Sequence, residues 1–367
     1  MLPEDLFATA AAAALRAGRV PPDLIDTVNI GQTVSVSLSG MSPRHAALKA
    51  GIAADKPVLG VRNMSGTGLS TLINSAQEIL IGAASISLAG GMEALSSIPL
   101  IVRNIRFKPL SGRKIELEDK IRLASFDTYM NMYLIEAVDE VARKYGITRE
   151  EVDRLALKSH QKWKNAHDSG VFDAELAPVN LNDEEVIACD ENPRPDSTLE
   201  VLSKLRAAEP GGACTAGNVA SFSDGAGALI VASEEAVRRH NLTPLSRLVA
   251  WSRVNVEPRM MAVALVPAVQ ALLKATEYTI DDIDLVEMHE NFGVAVLASA
   301  GLLKVDEGKV NVNGGAIAVG HPAGASGIRL VAHLTHELRR RGLGRAIAAM
   351  SGAGGQGIAV MLEACPN

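Results

Sequence analysis

One succession occurs twice in this chain, and it limits the fold more than any other feature. In the first third, residues 57–61 read as a short buried strand, Ser65-Gly66-Thr67-Gly68 as a turn, and the residues after that turn as a helix. Leu69, Leu72, Ile73, Ala76, Ile79 and Leu80 fall on one face of that helix. Residues 84–91 are then a strand ending on a glycine pair. In the last third, residues 285–288 are a strand, 320–327 (GHPAGASG) a Gly/Ser turn, 328–338 a helix, and 346–350 a strand that runs into Ser351-Gly352-Ala353-Gly354-Gly355. Strand, turn, helix, strand is an α/β unit, and a repeat of one governs the whole fold. The expectation is two similar α/β halves facing each other. A site between them would draw one Gly-rich turn from each.

The rest of the chain arranges itself around that repeat. Residues 5–17 read as a helix, followed by Val20-Pro21-Pro22 and an apolar stretch over 25–30. From about 96 to 216 the character changes, with a mostly polar run from Arg103 to Arg122. Thr148 and Glu151 form a capping-box pattern ahead of Val152, Leu155 and Ala156, and Gly170 stands past the end of that helix. Residues 190–197 (DENPRPDS) are a loop by their Pro, Asn and Asp content. This region reads as an insertion, after which the core resumes with a buried strand at 225–231. The division expected is 1–96 with 217–240, an inserted loop domain over 97–216, and 241–367.

Composition narrows the function. The 32 glycines and only 3% aromatic residues suit tight turns and close backbone packing more than an aromatic-lined groove. A net charge of -6 argues against nucleic acid as a partner. Cys189, Cys214 and Cys365 have no paired spacing, so neither a disulfide framework nor a zinc site is indicated, and Cys214 reads as a core residue. No uninterrupted apolar run reaches membrane-spanning length. The opening Met1-Leu-Pro-Glu-Asp-Leu puts acids before its alanine-rich stretch, which fits neither a secretory signal nor an Arg-rich transit peptide.

Four segments at expected strand ends carry the chemistry: 63–69 (NMSGTGL), 289–292 (HENF), 320–324 (GHPAG) and 351–357 (SGAGGQG). Ser65 lies where a strand turns into a helix. Backbone N–H groups and the positive end of the helix dipole favour a developing negative charge there. From position alone it is a nucleophile or a helix cap. His321 stands before a proline in a Gly-rich turn, where packing gives little reason to bury it. His289 with Glu290 reads as an acid/base pair or as a polar strand terminus. Ser351 alone is unremarkable.

Their order and surroundings resemble one family. AGGMEALS (89–96), NVNGGAIAVGHPAGASG (311–327) and GAGGQGIAV (352–360) look like thiolase motifs, and the resemblance runs from about residue 5 to the C-terminus. Within it, VRNIRF (102–107), DLVEMHENF (284–292) and HELRRRG (336–342) point to the mitochondrial 3-ketoacyl-CoA thiolase branch. The resemblance implies an α/β thiolase fold, with duplicated βαβαβαββ halves in a five-layered α-β-α-β-α core and an inserted loop domain. It implies acyl transfer to or from 3-ketoacyl-CoA and CoA, by thiolysis or Claisen condensation in fatty acid β-oxidation. Coenzyme A is then a substrate, with no separate cofactor. A homodimer or homotetramer in the mitochondrial matrix is implied as well, with residues 57–91 near the dimer interface.

The match of site residues is uneven. His321 falls on the family's activating histidine, and His289 on its oxyanion-hole position. Arg194 and Ser197 fall on loop-domain positions that contact CoA. Both catalytic cysteines are replaced, the nucleophile by Ser65 and the proton-shuttling one by Ser351, and Ala220 stands at a CoA-side serine. The chain also opens at the first helix, without the family's first strand and Arg-Thr-Pro segment. A cysteine thiol with a pKa of about 8.5 is readily lowered to give thiolate, whereas a serine hydroxyl needs a general base in the transition state. Ser351 is too weak an acid or base to move an α-proton. Four readings stay open: a slow acyltransferase, a CoA-binding scaffold, a serine-dependent acyl-CoA hydrolase using Ser65 and His321, and an engineered inactive form.

Overall fold

The computed structural model describes residues 1–35, 40–103, 105–107, 114–181 and 185–365. Asn104 of the VRNIRF motif and residues 108–113 of the polar run lie outside them. Two four-stranded sheets form the core. The first contains β1 (Thr27–Gly31), β2 (Val58–Val61), β3 (Ile86–Ala94) and β4 (Asp224–Ala232), in the order β4-β3-β1-β2. The second contains β5 (Ser246–Asn255), β6 (Leu285–Met288), β7 (Arg345–Gly352) and β8 (Gln356–Ala364), in the order β5-β8-β7-β6.

The pairings repeat as the sequence does. β1 runs parallel to β2 and β3 while β4 closes antiparallel on β3. β6 runs parallel to β7 while β8 closes antiparallel on it. A single parallel bridge from Val286 to Val310 stands where the second half would carry its counterpart of β2. β5 pairs with β8, and among the described residues β4 has no such partner. That open edge explains why the strand expected to be buried at 225–231 is only half-buried. The strand expected at 57–61 is likewise an edge, with Leu59 exposed, because an apolar run does not report whether a neighbouring strand covers it.

Helices complete five layers. α1 (Pro3–Gly18) and α2 (Ser42–Lys49) pack together outside the first sheet. α3 (Thr67–Leu80) and, at the far end of the chain, Ser326–Arg341 lie between the sheets. The expected apolar face of α3 is buried at Leu69, Leu72, Ile73 and Ala76, but Leu80 projects into solvent. Its polar face is buried too, because the central layer has a sheet on either side. Ser75 and Glu78 there accept from Asn29, Ser87 and Thr27 of the first sheet (2.6–3.0 Å).

The inserted region leaves the first half after β3 but packs on the second. α4 (Leu134–Tyr145) and α5 (Arg149–Asp168) lie against α7 (Gly293–Leu303), and α6 (Leu265–Thr276) covers the second sheet. Val138, Val141 and Val152 join Leu265, Val269 and Val294 in one apolar cluster. α5 starts on the expected capping box: Glu151 N–H reaches the Thr148 hydroxyl (3.3 Å), and Thr148 N–H reaches the Glu151 carboxylate (2.8 Å). Cys214 is fully buried, as a core residue should be.

The two central helices, α3 and α8 (Ser326–Arg341), touch backbone to backbone. A Cβ placed on Gly327 would lie 2.5 Å from Leu69 N, and one on Gly68 would lie 2.8 Å from Ile328 N. Both helix starts carry site residues, so this contact fixes their spacing. Gly327→Ala is expected to cost about 1–3 kcal/mol by overpacking, read as a lowered urea midpoint at unchanged slope. An unchanged midpoint would mean the helices separate freely.

Candidate active site

The first Gly-rich turn is a sharp elbow. Met64 adopts a left-handed φ of 44°, and the carbonyl of Met64 is held by the Thr67 hydroxyl (2.6 Å), the Thr67 amide (3.1 Å) and the Thr33 hydroxyl (3.2 Å). The elbow presents Ser65 just before α3, whose N-cap is Gly66. Ser65 is therefore not the cap. Its Oγ lies 3.2 Å from His321 Nε2, contributed by the other half of the chain.

His321 is fixed on three sides. Its amide donates to the Ser221 carbonyl (2.9 Å), and Gly320 before it has φ 92° in space that a Cβ would share with Ser223. Its Nδ1 lies 2.7 Å from the Ser326 hydroxyl, which itself donates to the Pro322 carbonyl (3.1 Å). Nδ1 is then the donor, and the Nε2 lone pair is left facing Ser65. Burial, followed by the positive Arg329, pushes His321 down to about 4. At neutral pH it is an uncharged imidazole with a free lone pair, able to accept the Ser65 proton.

His289 follows β6, where its amide donates to the Ala349 carbonyl (2.9 Å). Its Nε2 is 3.4 Å from His321 Nε2, with ring centroids 4.2 Å apart. It is fully buried, and burial first, then His321 and Arg329, hold it well below the usual histidine range. The neighbouring Glu290 does not pair with it. The Glu290 carboxylate accepts from Ser159 Oγ (2.7 Å), Asn311 Nδ2 (2.9 Å) and the Ile317 amide (3.3 Å), tying α5 to the segment before His321.

Ser351 sits apart in its bonding. Its buried hydroxyl accepts from the Leu265 amide (2.9 Å) and donates to the Ala262 carbonyl (3.3 Å). It thereby satisfies one of the free N–H groups at the start of α6. Among the described residues no hydrogen bond joins it to Ser65, His321 or His289. The next turn does reach the site, since a Cβ on Gly352 would lie 3.7 Å from Ser65 N.

The loop-domain residues are held close by. The Arg194 guanidinium donates to the carbonyls of Glu191, Asn192 and Pro193 (2.8–3.0 Å), and its amide donates to His160 Nδ1 (3.1 Å). The Ser197 amide donates to the Arg194 carbonyl (3.1 Å), and the Ala220 amide to Asn291 (3.0 Å). Asn192 accepts from Ser221, whose carbonyl holds His321, so the loop and the histidine share a support. Sequence reasoning missed Ser326, Asn192 and Glu93. Glu93 is buried and receives the amides of Thr33, Val34 and Gly324 (2.9–3.0 Å), which anchors the GHPAG turn to the first sheet. Burial nonetheless pushes its carboxyl above the usual range. Its place in AGGMEALS was the available signal. No group of three or more metal-ligating side chains occurs among the described residues, and no helix there is long and apolar enough to cross a membrane.

Two stacked α/β halves, a serine elbow and an imidazole from the opposite half define a thiolase-fold acyltransferase. The chain belongs to the thiolase family: the models of the thiolase N-terminal and C-terminal domains match residues 1–235 and 242–364. It is 42% identical over 366 residues to a Bos taurus protein named 3-ketoacyl-CoA thiolase, mitochondrial, covering 98% of this chain and 92% of that one. An Escherichia coli acetyl-CoA acetyltransferase is 37% identical over 371 residues, covering 98% and 92%. Among solved structures, human mitochondrial 3-ketoacyl-CoA thiolase in complex with CoA superposes with a TM-score of 0.97 at 41% identity, covering 100% of this chain and 93% of that one.

Proposed function

We propose that this thiolase-family acyltransferase takes the acyl group of an acyl-CoA or 3-ketoacyl-CoA onto Ser65, with His321 as the base. The observation that carries this is the 3.2 Å approach of Ser65 Oγ to the unprotonated Nε2 of His321. The second imidazole, His289, lines the site where the thioester oxygen gathers charge. CoA lies against the loop domain, over Arg194, Ser197 and Ala220. Residues 1–96 with 217–240, 97–216 and 241–367 act as first half, loop domain and second half. A place in the mitochondrial matrix is supported by the names of the bovine and human relatives, and a homodimer or homotetramer by the exposed edge strand β2.

The carbon–carbon step is the weak one. Ser351 is the residue meant to move the α-proton, and its hydroxyl is engaged on both sides, accepting from the first amide of α6 and donating to the Ala262 carbonyl in the turn before that helix. Two measurements test the reading. Isothermal titration with CoA gives a binding heat, and intact mass after incubation with acetyl-CoA gives one acetyl adduct that maps to Ser65 and disappears in Ser65→Ala. Binding heat with no adduct would replace this reading with that of a CoA-binding scaffold.

A further inference from the structure

We propose that a cavity at the seam between the two halves is a binding site for a phosphate monoester, held between Arg62 and Arg253. The cavity has a volume of about 370 Å³ and lies where β2 and α3 of the first half meet β5 and β8 of the second. Arg62 directly follows β2 and Arg253 lies near the end of β5, so each half supplies one guanidinium. β2 and β5 are both edge strands, which leaves this seam open to solvent. Among the described residues, none from 97–216 lines it.

Charge sets the sign of the ligand. Among the described residues Arg62 and Arg253 form no ion pair, and no Asp or Glu lines the cavity. In a chain of net charge -6, this leaves two positive charges on one cavity without a counter-ion. Burial alone lowers the Arg253 guanidinium, with no carboxylate beside it to offset the cost. The other polar groups stand ready as donors. Asn74 Oδ1 accepts from Arg253 (3.3 Å), which leaves the Asn74 N–H groups free among the described residues. The buried Ser70 hydroxyl accepts from Asn63 Nδ2 (3.0 Å) and keeps its own hydrogen free there. Asn63 is in turn anchored by its amide, which donates to the Thr67 hydroxyl (2.8 Å). These contacts fix the wall before a ligand arrives, which lowers the cost of binding.

The number of donors chooses among anions. Each guanidinium presents a planar fork that matches two oxygens. A carboxylate, with two oxygens and one charge, answers one fork. A phosphoryl group, with three terminal oxygens and up to two charges, answers both. Inorganic phosphate alone would leave most of the space to water, and the volume is that of a small-molecule site. Val61 is the one apolar side chain in a lining otherwise made of Arg, Asn, Gln, Ser and Gly, which suits a hydroxylated skeleton over an acyl chain. The ribose phosphate of CoA has the same chemistry. CoA, however, lies over the loop domain in the reading above, and that domain contributes nothing to this lining. The ligand is then a separate molecule of sugar-phosphate character.

The test is isothermal titration of the full chain with ribose 5-phosphate, ribose and inorganic phosphate at constant ionic strength, repeated with CoA at saturation. The expected result is one ribose 5-phosphate per chain, bound more tightly than inorganic phosphate, with no heat from ribose and no competition by CoA. Arg62→Met and Arg253→Met should each weaken binding at least ~10-fold, the usual effect of losing a charged hydrogen-bond partner. Arg16→Met, on an exposed position of α1, removes an equal charge and should change nothing. Binding abolished by CoA would assign the phosphate to the CoA site and overturn the inference. Equal weakening in Arg16→Met, or none in the two cavity variants, would overturn it as well. The arginine variants decide the matter even if CoA gives no heat. Absence of heat from every phosphate also sinks the proposal. Sedimentation would then show whether a dimer dissociated by Arg62→Met makes the cavity an interface between copies.

Discussion

The double variant Ser65→Cys, Ser351→Cys is expected to convert acetoacetyl-CoA and CoA to acetyl-CoA at least ~10³-fold faster than the parent chain. Each substitution restores a different proton transfer, and positioned proton transfers are each worth roughly 10²–10⁴-fold. At position 65 a thiol with a pKa of about 8.5 replaces a hydroxyl that ionises far less readily. The improvement is large because His321 is a weak base, held down to about 4 by burial and Arg329. It matters much less to a thiol than to a hydroxyl. At position 351 sulfur is a poor partner for the Leu265 amide and the Ala262 carbonyl, so the side chain is freed to serve the site. Losing that link to α6 should cost about 1 kcal/mol of stability. Ser65→Cys alone should exchange acyl groups with CoA without cleaving carbon–carbon bonds, and Ser351→Cys alone should do neither. A double variant no faster than the parent would show that more than two side chains separate this site from thiolysis.

The duplicated α/β halves were legible because glycine-punctuated strand and helix periods are local signals. The capping box at Thr148 and Glu151 was legible for the same reason. Exposure was not, because it depends on neighbours remote in sequence. β2 and β4 have the apolar composition of central strands yet lie at edges, and Leu80 continues a buried helical face past the end of the sheets. Ser65 shows the limit at the site. Position alone allowed a cap, whereas in the fold Gly66 takes the cap and Ser65 meets His321, 256 residues away. Ser351 shows the reverse, since resemblance assigned it a role while its hydroxyl went to a helix 86 residues earlier. Ser326 escaped notice because a serine at a helix start has no distinctive spacing. Its meaning comes from the imidazole beside it.

Replacing His160 by Gln is expected to remove about 3 kcal/mol of pH-dependent stability between pH 6.5 and 4. His160 is 5% exposed, and its Nδ1 accepts the Arg194 amide, which requires the unprotonated ring. Burial, and then the Arg194 charge, lower it from 6.5 to about 4. Above pH 6.5 the ring is neutral in both folded and unfolded chains, so stability does not depend on this group. Between 6.5 and about 4 the unfolded chain binds a proton that the folded chain refuses, and acidification favours unfolding by about 1.4 kcal/mol per pH unit. Over roughly 2.5 units (6.5 minus about 4) the loss reaches about 3 kcal/mol, and below pH 4 it stays constant. Gln offers a carbonyl to the Arg194 amide and does not titrate. Other shifted groups, His333 and Glu337 among them, titrate alike in both chains and cancel in the difference. Urea unfolding at intervals from pH 4 to 7 should therefore show parent stability rising relative to the variant up to pH 6.5, then running parallel. Parallel curves throughout would mean that His160 takes its proton freely in the folded state. The Arg194 loop would then not depend on that hydrogen bond, and the support it shares with His321 would rest on Asn192 and Ser221 alone.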